Sequence, residues 1–171
     1  MAVQVYLSLG SNLGDRLRNL REGVWQLSRH GVYPRQVSRV YETAPVGETP
    51  DPRLYLNIGV WAETELSPHD LLRAVKAVEA AQGRAFTDER WLPRPLDIDI
   101  IVYGDLTLET PELTIPHPRM RERAFVLIPL AEMTPDYTLP DGTRVQELLR
   151  DPRIQTQQVQ VYDAHLSVSS R

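Results

Sequence analysis

The chain has 171 residues, 42% hydrophobic and 25% charged, enough for one globular domain with its own core. A net charge of -4 argues against a general nucleic-acid binder, and the absence of cysteine removes disulfides, thiolate metal sites and cysteine nucleophiles. No run approaches the ~20 apolar residues of a membrane span, and the short opening strand lacks the basic lead of a signal peptide, so a cytoplasmic protein is expected.

Residues 3–9 alternate apolar and polar and predict a first strand. Residues 10–16 form a turn that opens a helix, which Asn12 can cap and whose first turn Asp15 favours. Leu17, Leu20, Val24 and Leu27 recur at helical spacing to about His30, and Gly31 ends the run. A Gly-rich turn between strand and helix could cradle phosphate, but the Lys-Ser/Thr pair of a P-loop is missing, so it reads as a tight connection. Residues 32–43, rich in β-branched residues and tyrosine, predict one long second strand, followed by a Pro- and Gly-rich loop over 44–52. Residues 55–61 alternate again as a third strand, with Tyr55 and Asn57 on one face. An aromatic plate beside an amide suits a flat heterocycle, and equally suits ordinary packing of a half-exposed strand.

Ser67-Pro68-His69-Asp70 is a helix start, with Ser as cap and Pro in the first turn. Leu71, Leu72, Val75 and Val78 line its buried side up to Gly83. Glu79 shares part of that side, so its carboxylate must be paired, either in a structural ion pair, with an arginine of the next loop, or in the floor of a polar pocket. The loop over 83–95 carries Arg84, Arg90, Trp91 and Arg94, and leads into a fourth strand over 97–102. There Asp97 and Asp99 face one way, Ile98 and Ile100 the other. Two carboxylates on one strand face repel unless a cation lies between them, and Mg²⁺ takes such ligands. Arginines just upstream suit polyanions, and the set describes phosphoryl-transfer chemistry. The plain alternative is a half-buried strand with a polar solvent face.

After a turn over 103–106, residues 113–118 are extended and braked by proline around His117, with Arg119, Arg121 and Arg123 forming a second basic cluster. Residues 124–130 are a buried apolar run, helix or strand; 140–142 is a turn and 145–150 a short helix. The Gln-rich tail holds an edge strand over 158–162 or is loose. The order strand, helix, strand, strand, helix, strand is that of an α+β, ferredoxin-like βαββαβ plait with an antiparallel sheet and additional C-terminal elements. One domain over 1–150 is expected, with 151–171 as a tail of the same unit. The Asp strand and the Tyr55 strand then share a sheet.

At this point the residues meet a family. Gly10-Ser11-Asn12-Leu13-Gly14, the loop over 43–47, Tyr55-Leu56-Asn57, Glu79 with Gln82-Gly83-Arg84, Arg90-Trp91, Pro93-Arg94, Asp97-Ile98-Asp99, Pro116-His117 and Arg123-Ala124-Phe125 all occur. Over residues 3–150 the chain resembles 6-hydroxymethyl-7,8-dihydropterin pyrophosphokinase of folate biosynthesis. The resemblance implies that a pterin hydroxymethyl group attacks the β-phosphorus of ATP and AMP leaves. It implies a ferredoxin-like fold and two Mg²⁺ ions on Asp97 and Asp99, with Arg90 and Arg94 catalytic beside them. Nucleotide contacts are implied for Arg90, Arg94, His117 and Arg123, with Ile100 and Thr114 near adenine and Glu79 beneath. Trp91 is implied to contact both ATP and the pterin as it closes the site, and Thr43, Val46, Tyr55, Asn57, Asp97 and Phe125 to form the pterin pocket with it. Partners are then ATP and a reduced pterin, without nucleic acid or membrane, and a monomer is expected. The sequence departs from the family pattern at Ala44, Phe86 and Leu92. A nucleotide-sensing module would not need the paired aspartates, and a metal-dependent phosphohydrolase would not need Tyr55 and Phe125.

Overall fold

The computed structural model describes residues 2–45, 53–82 and 95–163. In chain order the elements are β1 (Val3–Ser11), α1 (Arg16–Arg29), β2 (Val32–Val37), β3 (Val40–Thr43), β4 (Tyr55–Thr64), α2 (Pro68–Ala81) and β5 (Asp97–Tyr103). Then follow β6 (Leu108–Glu109), β7 (Thr114–Ile115), a 3-10 turn (Met120–Glu122), α3 (Ala124–Met133), α4 (Val145–Leu149), α5 (Pro152–Gln155) and β8 (Val159–Asp163). The main sheet is antiparallel in the order β5-β1-β4-β3-β8, with β2 also on β4. That is the ferredoxin-like arrangement, in which the first and third predicted strands lie at the centre and the Asp strand at one edge.

Strand alternation divides the apolar residues between the two faces. Leu7 and Leu9 of β1, Ile58 and Val60 of β4, and Ile98 and Ile100 of β5 pack against Leu20, Val24 and Leu27 of α1 and Leu71, Val75 and Val78 of α2. Each such burial is worth roughly 1.5–3 kcal/mol, so this face anchors the sheet. On the other face Tyr6, Ile101 and Val102 pack against Val126, Leu127 and Leu130 of α3, with Leu139, Val145 and Ile154 behind. This second core covers the part of the face near the start of β1. The end of β1 and the starts of β4 and β5 carry small and polar residues instead: Ser8, Gly10, Tyr55, Asn57, Asp97 and Asp99.

Two local expectations are corrected, and a third that was open between helix and strand is decided. The second strand is not continuous over 32–43. Ser38 donates its N–H to the Gly59 carbonyl at 2.9 Å and accepts the Gly59 N–H on Oγ at 2.9 Å, while its hydroxyl donates to the Arg39 carbonyl at 2.7 Å. A side chain that takes over a ladder position interrupts the strand there. Pro34, with no N–H, marks a second shift in register against β4. The α1 cap is Asp15 rather than Asn12: its Oδ1 accepts from Arg18 N–H at 3.1 Å, and the helix starts one residue later. The run over 124–130 is a helix although Pro129 lies inside it, because it is enclosed by the sheet on one side and by Leu148 and Leu149 of α4 on another. In the tail, Val159 pairs with Thr43 and Val161 with Tyr41, so the chain returns to add an edge strand.

Candidate active site

The face left open by α3 is organised in rows. Asp97 lies opposite Gly10, Gly10 opposite Asn57, and Asn57 opposite Tyr41, so one row crosses β5, β1, β4 and β3. The next row is Asp99, Ser8 and Gly59. Paired residues share a face, so the carboxylates and the Tyr55–Asn57 pair do share one surface. They are separated by one strand: Asp97 and Asn57 stand two strand spacings apart, roughly 10 Å. Gly10 keeps that interval clear. A Cβ built there would stand 2.6 Å from Asn57 Oδ1, well inside contact distance. Asn57 is almost fully buried, and its Nδ2 donates to Thr43 Oγ1 at 2.6 Å, which fixes the amide with its oxygen on the Gly10 side. The covered half of the face begins at Gly59, where a Cβ would meet the Tyr6 hydroxyl at 2.0 Å. That hydroxyl donates to the Val126 carbonyl at 3.2 Å and ties α3 to the sheet.

Asp99 draws two basic groups from the segment before α3. Arg123 Nη1 stands 3.6 Å from Asp99 Oδ2, and His117 Nε2 stands 4.0 Å from Oδ1. His117 Nδ1 accepts from the Arg119 N–H at 3.1 Å, so in the neutral ring the proton sits on Nε2, on the Asp99 side. Burial pushes the His117 pKa below the usual histidine value; Asp99 pulls it up, and Arg123 and Arg119 push it down. Burial likewise lowers Arg123, against the pull of Asp99. The Arg123 guanidinium carbon lies 5.5 Å from the centre of the Phe125 ring. Phe125, in the first turn of α3, therefore lies beside Arg123, the nearer of the two basic groups at Asp99.

Other candidates lie elsewhere around β5. Glu79 is 2% exposed; its Oε2 accepts the Ile98 N–H at 2.7 Å and its Oε1 lies 3.6 Å from Lys76 Nζ. The carboxylate thus satisfies an edge-strand N–H, and also takes part in the ion pair weighed from the sequence. Ile100 is buried in the α1–α2 core, on the face opposite Asp99. Thr114 is on β7, beside β5, where His117 N–H donates to the Ile101 carbonyl at 2.9 Å. Glu79 and Ile100 are thus not on the Asp97–Asp99 face. Val46, Arg90, Trp91 and Arg94, together with Arg84, Phe86 and Leu92, lie outside the described residues.

Among the described residues no group of three or more His, Asp or Glu side chains could hold a metal by itself. Two aspartates with further oxygens from phosphate and water are the donor set Mg²⁺ prefers, and Asp97 and Asp99 fit that set. Three participants went unrecognised in the sequence. Gly10 reads there as a turn residue, and only strand register shows it facing Asn57. Tyr41 and Gln157 carry no motif, and only tertiary contacts bring them to this region.

Comparison with known proteins gives a consistent result. The family model for 7,8-dihydro-6-hydroxymethylpterin-pyrophosphokinase (HPPK) matches residues 6–135. The 2-amino-4-hydroxy-6-hydroxymethyldihydropteridine pyrophosphokinase of Pseudomonas aeruginosa is 41% identical over 153 residues, 87% of this chain and 91% of that protein. The mitochondrial folate synthesis bifunctional protein of Arabidopsis thaliana is 44% identical over 130 residues, 76% of this chain. This chain spans about a quarter of that relative's length, 23%. Among solved structures, the wild-type HPPK-DHPS of Plasmodium falciparum with pteroate superposes with a TM-score of 0.69 at 15% identity, covering 91% of this chain and 45% of that one. At that identity the likeness speaks to the fold.

Proposed function

Because the chain belongs to the 7,8-dihydro-6-hydroxymethylpterin-pyrophosphokinase family, we propose that it transfers pyrophosphate from ATP to the hydroxymethyl group of 6-hydroxymethyl-7,8-dihydropterin, giving the pterin diphosphate and AMP. The observation that carries this reading is one sheet face on which Asp97 and Asp99 stand across a side-chain-free Gly10 from Tyr55 and Asn57. An anionic phosphate chain and a flat heterocycle can then meet over Gly10, with the alcohol near the phosphorus it attacks.

The chemistry asks for little covalent help from the protein. A neutral alcohol must be held in line with a strongly anionic phosphate chain, and the charge on the bridging oxygens must be balanced. In this reading Tyr55 and Phe125 stack on the pterin, Asn57 and Thr43 orient it through their fixed hydrogen-bonding groups, and Val46 completes the pocket wall. Asp97 and Asp99 would hold two Mg²⁺ ions, which supply charge neutralisation at the phosphate oxygens when bound. Arg123 adds positive charge beside Asp99, His117 offers its Nε2 N–H there, and Arg90 and Arg94 bring guanidinium forks to the phosphates. Ile100 and Thr114 border adenine, Glu79 supports that end by holding the β5 edge, and Trp91 covers the site. The proposal also includes a monomeric, cytoplasmic protein whose single domain runs to about residue 150 with the tail 151–171 joined to it. Sedimentation tests the monomer.

Incubation with ATP, Mg²⁺ and the reduced pterin, followed by product identification, tests the reaction. AMP formation that requires the pterin supports it. Phosphate release without pterin, or no AMP in its presence, overturns it.

A further inference from the structure

The tail lies beyond the part of the chain that matches the family model, which ends at residue 135. Even so, three consecutive tail residues touch both sides of the pocket. Gln157 Oε1 accepts the Ala124 N–H at 2.9 Å, and Gln157 Nε2 donates to the Glu122 carbonyl at 2.7 Å and to the Arg153 carbonyl at 3.1 Å. The Glu122 carbonyl and the Ala124 N–H belong to the two peptide units that flank Arg123. One side-chain amide therefore clasps Arg123 from both sides, with donor and acceptor each used. Arg123 in turn reaches Asp99 and lies over Phe125. One residue on, the Gln158 carbonyl accepts the Ala44 N–H at 3.2 Å, and Val159 then pairs with Thr43, the partner of Asn57.

We infer that Gln157 is a positioning residue for the transfer step: through the tail strand it sets the start of α3, with Arg123 and Phe125, in register with the Thr43–Asn57 side of the pocket. The inference rests on the proposed pterin and nucleotide roles of these groups. Its physical basis is that Arg123 stands on the phosphate side and Phe125 on the heterocycle side, two residues apart on one backbone turn. If that turn rotates, both substrates still find most of their contacts, but the alcohol and the phosphorus lose alignment. The loss then falls on kcat at saturating substrates. A plain capping role predicts something else. Arg123, the residue at the helix N-cap, makes no side-chain capping bond, so Gln157 could serve α3 only as a substitute cap. In that case substitution lowers the melting temperature and leaves kcat alone.

The test uses the full chain with Gln157→Leu, which keeps size and removes both polar groups, and Gln157→Glu, which keeps an acceptor for Ala124 N–H. Gln155→Leu, the same change on an exposed neighbour, is the control. Assays run well below the lowest melting temperature. Gln157→Leu should lower kcat roughly tenfold with both substrates saturating, since small misplacements of reacting groups carry costs of this order. Gln157→Glu should recover part of that loss, and Gln155→Leu should match the parent chain. A Gln157→Leu kcat within about twofold of the parent, whatever its melting temperature, would overturn the inference, because misalignment at a reacting centre costs more than that. Amide hydrogen exchange provides a readout that does not depend on the reaction: Gln157→Leu should speed exchange at Ala124 and at Ala44 together. If the parent chain forms no AMP, the proposed reaction has failed, and the exchange result alone decides the structural part. Unchanged protection at Ala44 would then refute the coupling.

Discussion

Gly10 is the residue on which the arrangement of the face turns. Any side chain there would strike Asn57 Oδ1, and Asn57 cannot retreat without giving up Thr43. Gly10→Ala is expected to cost about 1–3 kcal/mol of stability, in the range for forced overpacking, and to weaken pterin binding more than ATP binding. Calorimetry with each ligand checks this, and equal losses for both would place the heterocycle elsewhere. Asp97 and Asp99 test the other side of the row. Asp97→Asn and Asp99→Asn keep shape and remove charge, and each should lower turnover by roughly 10²–10³, as loss of one key electrostatic group does. Circular dichroism should show both variants folded, since neither side chain lies in an apolar core. Turnover near that of the parent at saturating Mg²⁺ would count against the metal assignment.

At the scale of elements, α3 is held at both ends. Its start meets the tail through Gln157, and its end meets the break between β2 and β3 through Glu132. Glu132 accepts from the Tyr41 hydroxyl at 2.5 Å and from the Arg39 N–H at 3.1 Å, and it pairs with the Arg39 guanidinium at 3.5 Å. Tyr41 shares the Asn57 row, so this contact joins the rear of α3 to the pocket floor. Burial first, then the hydrogen bond and charge of Glu132, push the Tyr41 phenol up to about 12 from its ordinary 10.0. The fold prefers the neutral phenol, so this contribution to stability is complete below the unfolded pKa. It is lost as pH rises from about 10 to about 12. Glu132→Gln should lower the Tyr41 midpoint and leave Tyr137, which burial also raises to about 12, as an internal reference. Ring-carbon NMR titration of the tyrosines measures both, and a Tyr41 midpoint unmoved by Glu132→Gln would show the pair to be unimportant.

For the whole molecule, one sheet serves two cores. Leu9 is fully buried under the helices α1 and α2, and Leu127 is fully buried on the opposite face beneath α3. Because β1, β4 and β5 contribute to both, loss of either core should undermine the other. Leu9→Ala and Leu127→Ala are each expected to cost about 2–5 kcal/mol. Unfolding should remain one transition, with far-ultraviolet circular dichroism and tryptophan fluorescence coincident. Separate transitions would mean that the C-terminal elements fold as an independent unit. Among the described residues no helix is long and apolar enough to cross a membrane. The uneven cover is what matters for function: α3 closes one part of its face, and the remaining part is lined by groups suited to ligands.

Local pattern determined much of this protein. Alternation in residues 3–9, 55–61 and 97–102 is enough to define the strands and to put Asp97 with Asp99 and Tyr55 with Asn57. The Ser67-Pro68 start needed no tertiary help, because a cap and a first-turn proline act within one helical turn. What tertiary structure decided was everything that depends on which strands are neighbours. The interval between the two aspartates and the Tyr55–Asn57 pair, the work of Gly10, and the placing of Glu79 and Ile100 across β5 from Asp99 all follow from strand order and register. The interruption at Ser38 arises from a bond to Gly59, twenty-one residues away. The choice of helix for the run over 124–130 came from surfaces that enclose it, since a uniformly apolar segment has no periodicity to read. Gln157 was the least legible residue of all: its partners lie thirty-three and thirty-five residues earlier, and polar side chains in a tail acquire meaning only from the backbone groups they reach.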